Sequence, residues 1–169
     1  YPDADDVWQT LRWAEVGQRA EAIGAGLHAL GIALEERCSI LSGTRIEWIL
    51  VDLGILCAGG ATTTIYPSCT AEESAYIIQD SGTRVVFAED DSQVEKIMSI
   101  KDELPNLTKI INITGRGGHS DFVVSLEQLE SMGKNFLESN RAAYEDRFES
   151  INGEHIATLI YTSGTTGRP

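Results

Sequence analysis

Four hydroxyl residues, Thr162, Ser163, Thr165 and Thr166, and two glycines, Gly164 and Gly167, crowd into the run Tyr161-Thr162-Ser163-Gly164-Thr165-Thr166-Gly167-Arg168-Pro169. Such a run suits an oxyanion. Glycine lets backbone N–H groups converge and has no Cβ to hold a phosphate at a distance, while hydroxyls add donors without charge. The stretch His155 to Tyr161 before it has strand character, so these donors would stand at a strand's carboxyl end. The competing reading is a polar β-turn, which Ser, Thr and Gly favour in any protein. A P-loop NTPase is rejected, because Walker A needs Lys and then Ser or Thr after its last glycine, where Arg168 and Pro169 stand here. Arg168 reads as solvent-facing.

The elements that must position this run alternate along the chain. Trp13, Val16, Ala20, Ile23, Leu27 and Leu30 recur at helical spacing, and Gly31 stands where a C-terminal cap belongs. Cys38 to Leu41 reads as a buried strand. Thr44-Arg45-Ile46-Glu47 has capping-box form ahead of a helix that carries Ile46, Ile49, Leu53 and Leu56 inward. The same helix-start pattern returns at Thr70 to Glu73, Ser92 to Glu95 and Ser125 to Gln128. Between these fall strand-like runs at Ala61 to Tyr66, Arg84 to Ala88 and Thr108 to Thr114. Repeated alternation with short apolar strands predicts a doubly wound α/β fold with a mostly parallel sheet and flanking helices. Gly115 to Gly118 lacks dinucleotide-loop spacing and reads as a surface turn. Lys134 to Ser150 reads as a helix or loose connector, with Phe136, Ala143, Tyr144 and Phe148 as docking residues.

The bulk numbers exclude several classes. A chain of 169 residues suits one domain, and 42% hydrophobic with 23% charged residues is globular composition. A net charge of −13 repels phosphate backbones and anionic lipid, which argues against nucleic acid and membrane surfaces as partners. An anionic substrate must then be held by local N–H groups, hydroxyls and a metal. Cys38, Cys57 and Cys69 lie in or beside apolar stretches, lack C-x-x-C spacing and are odd in number, which reads as reduced core cysteine in a cytoplasmic protein. His28, His119 and His155 are too scattered for a zinc site. The apolar stretch Trp48 to Ala61, interrupted by Asp52, is too short for a bilayer span and reads as a helix running into a strand. The opening Tyr1-Pro2-Asp3 shows no secretory signal. There is no internal repeat or low-complexity block.

The nine-residue run as a whole resembles the phosphate-binding motif of the AMP-forming adenylating superfamily: acyl-CoA synthetases, luciferases and peptide-synthetase adenylation domains. The family pattern Y-T-S-G-T-T-G-x-P-K-G matches through Pro169, with the following Lys and Gly untested. Leu11 to Glu15 and Leu56 to Gly60 fit the family's early helix and the stretch before a strand. Ile65 to Glu73 followed by Tyr76 to Ser81 is similar to bacterial long-chain fatty-acyl-CoA synthetases.

The resemblance implies a two-step reaction: a carboxylate attacks the α-phosphate of ATP to give acyl-AMP and pyrophosphate, then the CoA thiol displaces AMP. It implies that Thr162, Ser163, Gly164, Thr165, Thr166 and Gly167 cradle the β and γ phosphates, with Mg²⁺ touching the Thr162 hydroxyl. It also implies that residues 1–169 are the N-terminal portion of a larger adenylation domain, that a C-terminal lid domain lies elsewhere, and that no catalytic residue lies within this stretch, which alone is expected to be inactive. The implied partners are ATP, fatty acid and CoA, with a homodimer left open. A non-catalytic module keeping the fold, an amino-acid adenylation domain and a luciferase-like enzyme stand as alternatives.

Overall fold

The computed structural model describes residues 1, 7–115 and 120–162. Among these, six strands form one sheet in the order β5-β4-β3-β1-β2-β6, and every pairing between them is parallel. In chain order the elements are α1 (Trp13–Ala29), β1 (Arg37–Leu41), α2 (Ile46–Cys57), β2 (Ala61–Ile65), α3 (Ala71–Ser81), β3 (Val85–Ala88), α4 (Asp91–Ser99), β4 (Lys109–Asn112), β5 (Val123–Ser125), α5 (Leu126–Ser150) and β6 (Thr158–Leu159). The doubly wound α/β expectation holds.

Parallel strands need crossovers, and right-handed crossovers decide which face each helix covers. The steps β1 to β2 and β5 to β6 run toward one edge, which places α2 and α5 on one face beside α1. The steps β2 to β3 and β3 to β4 run the other way, which places α3 and α4 opposite. Two apolar cores follow. Ile23, Leu27, Leu50, Ile55, Leu126 and Leu129 meet Ile40 and Phe87 on the first face. Ile77, Ile78 and Ile97 meet Leu41, Val86 and Ile110 on the second.

Helix starts match the sequence where the cap is local and uncontested. The Thr70 hydroxyl accepts from the Glu73 N–H at 3.2 Å while Glu73 accepts from the Thr70 N–H at 2.7 Å. Ser125 and Gln128 repeat this reciprocal arrangement. The other two boxes do not form. Helix α2 starts at Ile46 with Arg45 as its N-cap and no side-chain cap bond. The Arg45 guanidinium captures Glu47 at 2.6 Å, so the side chain that would have reached back to Thr44 is engaged. In α4 the cap is Asp90 rather than Ser92: its carboxylate accepts from the Gln93 N–H at 3.0 Å, and the Ser92 hydroxyl bonds to the same oxygen at 2.7 Å.

The inward face of α2 also differs. Leu50, Val51, Gly54 and Ile55 are buried, and Ile49 is 47% exposed. Gly54 lies where α1 comes closest, and a Cβ there would stand 2.5 Å from Ile23 Cγ2. That contact turns the helix onto its small residue. Trp13, assigned to the apolar stripe of α1, is 86% exposed, whereas Ala20, Ile23 and Leu27 are buried. Gly31 takes a φ of 81° just past the C-cap of α1, as its position predicts. Strand β5 was not foreseen. The segment 134–150 is helical and continuous with the turn begun at Leu126, bent at Asn140, whose φ is −131° and whose amide donates to the Phe136 carbonyl at 3.2 Å. Of its docking residues, Tyr144 is buried and Phe136 half-buried against His28, while Ala143 and Phe148 are exposed. Cys38 is buried, which pushes its thiol up to about 12, and Cys57 and Cys69 are half-buried, all three unbridged. The turn expected at Gly115 to Gly118 falls, from Arg116 onward, outside the described residues.

The caps titrate. Bonds from the Ser92 hydroxyl and the Gln93 N–H hold the Asp90 carboxyl below its ordinary value, and the Thr70 backbone N–H does the same for Glu73. A depressed folded-state pKa means that the native state binds fewer protons than the unfolded chain. Each contribution is therefore full above the unfolded carboxylate range and fades as pH falls through the lowered folded value. Asparagine caps as well as aspartate but does not titrate there. Asp90→Asn is expected to leave neutral-pH stability nearly unchanged and flatten the acid limb, read by urea unfolding at a series of pH values.

Candidate functional site

Among the described residues, strand β6 is the outermost strand beside β2, and the hydroxyl-rich run follows it in sequence. The strand pairs with β2 in the register Thr62↔Thr158 and Thr63↔Leu159. Three bonds tie it down before and along the ladder. Glu35 accepts from the Ile156 N–H at 2.8 Å, Ala157 accepts from the Thr62 N–H at 2.9 Å, and the Thr158 hydroxyl donates to the Thr62 carbonyl at 3.0 Å. The strand expected from His155 to Tyr161 is thus regular only at Thr158–Leu159.

Past the ladder, Tyr161 leans on α3. Its ring meets Tyr76 edge-on at 6.4 Å, and its hydroxyl donates to Asp80 Oδ2 at 2.6 Å. Burial, and then the Asp80 carboxylate, push the phenol above its ordinary value, so it stays a proton donor at neutral pH. Thr162 follows, exposed. Ser163, Gly164, Thr165, Thr166 and Gly167, with Arg168 and Pro169, lie outside the described residues.

In an open parallel sheet, ligands collect beyond the carboxyl ends of the strands. There, the segments after β1 and β2 enclose a cavity of about 250 Å³ lined by Ser42, Gly43, Thr44, Trp48, Thr64 and Tyr66. Glu89, past β3, accepts from the Gly43 N–H at 3.0 Å and lies 3.5 Å from the Arg45 guanidinium, fixing the turns on either side of the sheet's reversal point. Lys96 is committed as well: its ammonium donates to the Pro67 and Cys69 carbonyls, each at 2.8 Å, and braces the turn after β2. Among the described residues no three His, Cys, Asp or Glu side chains gather as a metal cage.

The family model for AMP-binding enzymes matches residues 2–169. The chain belongs to the AMP-binding enzyme family. A long-chain-fatty-acid–CoA ligase of Mycobacterium bovis is 35% identical over 165 residues, covering 98% of this chain and 26% of the relative. One of Drosophila melanogaster is 33% identical over 172 residues, covering 98% and 24%. The chain thus spans about a quarter of the length of the curated relatives it matches. Among solved structures, an anthranilate CoA ligase in complex with anthranoyl-AMP superposes with a TM-score of 0.72 at 25% identity, covering 92% of this chain and 28% of that one. A Mycobacterium tuberculosis fatty acyl CoA synthetase gives 0.65 at 21% identity, covering 95% and 28%. This member of the family therefore shares the parallel sheet of those solved structures over nearly its whole length. Asp80, Tyr76 and Lys96 were not singled out by chemistry in the sequence. The i,i+4 spacing of Tyr76 and Asp80 on α3 was the available signal, since such residues share a helix face.

Proposed function

We propose that the parent protein is an AMP-forming long-chain fatty-acid–CoA ligase, and that residues 1–169 are the N-terminal portion of its adenylation domain. The observation that carries this reading is the family match running through the hydroxyl-rich segment, joined to long-chain ligases as relatives over nearly the whole chain. The carboxylate of the fatty acid attacks the α-phosphorus of ATP and pyrophosphate leaves. The CoA thiol then attacks the acyl carbon and AMP leaves. Free carboxylate has no good leaving group, whereas AMP departs readily, so one difficult substitution becomes two easier ones.

The chain's own part is binding. Backbone amides and hydroxyls of Thr162, Ser163, Gly164, Thr165, Thr166 and Gly167 grip the β and γ phosphates, preorganised donors where charge develops. The Thr162 hydroxyl is an oxygen donor of the kind Mg²⁺ accepts beside phosphate oxygens and waters, and the ion would supply charge neutralisation there. An overall charge of −13 leaves the nucleotide to these local donors and keeps nucleic acid away. No helix of the described residues is long and apolar enough to cross a membrane. The cytoplasm is the proposed compartment, and a homodimer the proposed assembly to test.

The residues that polarise the acid and complete the thioester step are assigned to the remainder of the parent, so residues 1–169 alone are expected to be inactive. Full-length parent given Mg-ATP, labelled pyrophosphate and a long-chain fatty acid is expected to show acid-dependent exchange, and with CoA to release acyl-CoA and AMP. Exchange driven by amino acids instead would move it to peptide-synthetase chemistry. Absence of exchange with every carboxylic acid would leave a non-catalytic module.

A further inference from the structure

We propose that Asp80 is a positioning residue for the nucleotide-binding segment, acting through the hydroxyl of Tyr161. The proposal rests on the adenylating reading above and adds a residue far from the motif in sequence. Regular pairing with β2 stops at Leu159. Ile160 is then exposed, and the side-chain bond that follows is Tyr161 Oη to Asp80 Oδ2 at 2.6 Å, with the Tyr76 ring edge-on at 6.4 Å. Within the described residues, the side-chain hold nearest Thr162 is thus on α3, past the end of the β2 ladder.

Asp80 stands on a rigid support. It lies one residue before Ser81, whose carbonyl accepts from the Arg37 Nε, and whose hydroxyl donates to the Ile77 carbonyl at 2.6 Å. Gly82 closes the helix with a φ of 66°, a left-handed cap that glycine adopts without cost. Arg37 also donates to the Glu35 carbonyl at 3.2 Å and opens β1, the strand flanked by β2 and β3. A chain of direct contacts therefore runs from the sheet interior through Arg37, Ser81, Asp80 and Tyr161 to the first residue of the phosphate-binding segment.

Magnitudes separate a positioning role from a stabilising one. Asp80 is exposed, and a single bond at an exposed site contributes little to global stability. Misplacing preorganised donors by a fraction of an ångström is felt by bound phosphates far more strongly. Tyr161→Phe keeps the ring and its packing on Tyr76, and Asp80→Ala leaves a good helix former in place, so neither threatens the fold.

The test uses the full-length parent carrying Tyr161→Phe, Asp80→Ala and both together. Calorimetric Mg-ATP binding without acid, and KM for ATP in pyrophosphate exchange, are each expected to worsen about fivefold in either single variant. KM for the fatty acid and Tm should not move, and the double variant should be no worse than either single. Wild-type Mg-ATP binding in both singles would overturn the proposal. So would effects that multiply in the double variant, or equal losses toward ATP and acid accompanied by a lowered Tm. If wild type exchanges with no carboxylic acid yet binds Mg-ATP, and the variants lose that binding, the long-chain ligase reading fails and the positioning role stands. A wild type that never binds Mg-ATP overturns both.

Discussion

Thr165→Ala combined with Gly167→Ala in the full-length parent is expected to depress ATP–pyrophosphate exchange by about tenfold or more, equivalent to at least about 1.4 kcal/mol of lost transition-state stabilisation. The direction follows from what each substitution removes. Thr165 loses a hydroxyl donor that needs no charge, and Gly167 gains a Cβ in a run whose proposed use depends on backbone amides coming close to phosphate oxygens. Loss of one preorganised donor in a water-excluded site commonly costs more than tenfold, so the figure is a floor. The second half-reaction is the control: thioester formation from added acyl-adenylate and CoA has no β or γ phosphate to hold and should change far less. Equal losses in both half-reactions would point to a damaged fold. Unchanged exchange would remove the segment from the mechanism.

The same run carries the proposed site, of which only Tyr161 and Thr162 lie among the described residues. A grip made of glycines and hydroxyls on consecutive residues is written locally, and its string of residue types survives without knowledge of the fold. Asp80 is different. Its partner Tyr161 is 81 residues away, and nothing in the spacing of either reveals the other until β6 pairs beside β2 and α3 covers that face. Capping boxes divide the same way. Thr70 with Glu73 and Ser125 with Gln128 form, each pair bonded reciprocally side chain to backbone. At Thr44 the Arg45 guanidinium takes Glu47, and at Ser92 the carboxylate of Asp90, two residues earlier, is the better acceptor for the helix N–H groups. Strand β5 was not legible because three residues, Val123–Ser125, carry too little pattern, and its identity comes from pairing with β4. The face of α2 was misread because Gly54, which periodicity counts as nothing, is the residue on which α1 rests.

That last point carries the second large expectation: Gly133→Ala is expected to destabilise the protein by about 2 kcal/mol, although the same change in an exposed helix stabilises by up to about 1 kcal/mol. Helices α1 and α5 touch backbone to backbone along a stripe of small residues. A Cβ on Gly133 would press on the Ala22 carbonyl and stand 2.7 Å from the Gly26 amide nitrogen, and one on Gly26 would stand 2.5 Å from the Leu129 carbonyl oxygen. Backbone atoms cannot rotate aside as a side chain can, so the new methyl must push the helices apart. Leu129, fully buried one turn before Gly133 in the same apolar cluster as Ile23 and Leu27, would then lose packing, and this loss outweighs the gain in helix propensity. Gly17 supplies the opposite sign on the same helix pair: it is exposed on α1, and a Cβ there meets nothing within 4 Å. Gly17→Ala should therefore raise stability by about 0.5–1 kcal/mol. Urea midpoints of the two variants should fall on opposite sides of wild type. A stabilised or neutral Gly133→Ala would mean that α5 can move away from α1 at no cost, and that the contact between the two helices does not fix the path by which the chain returns to β6.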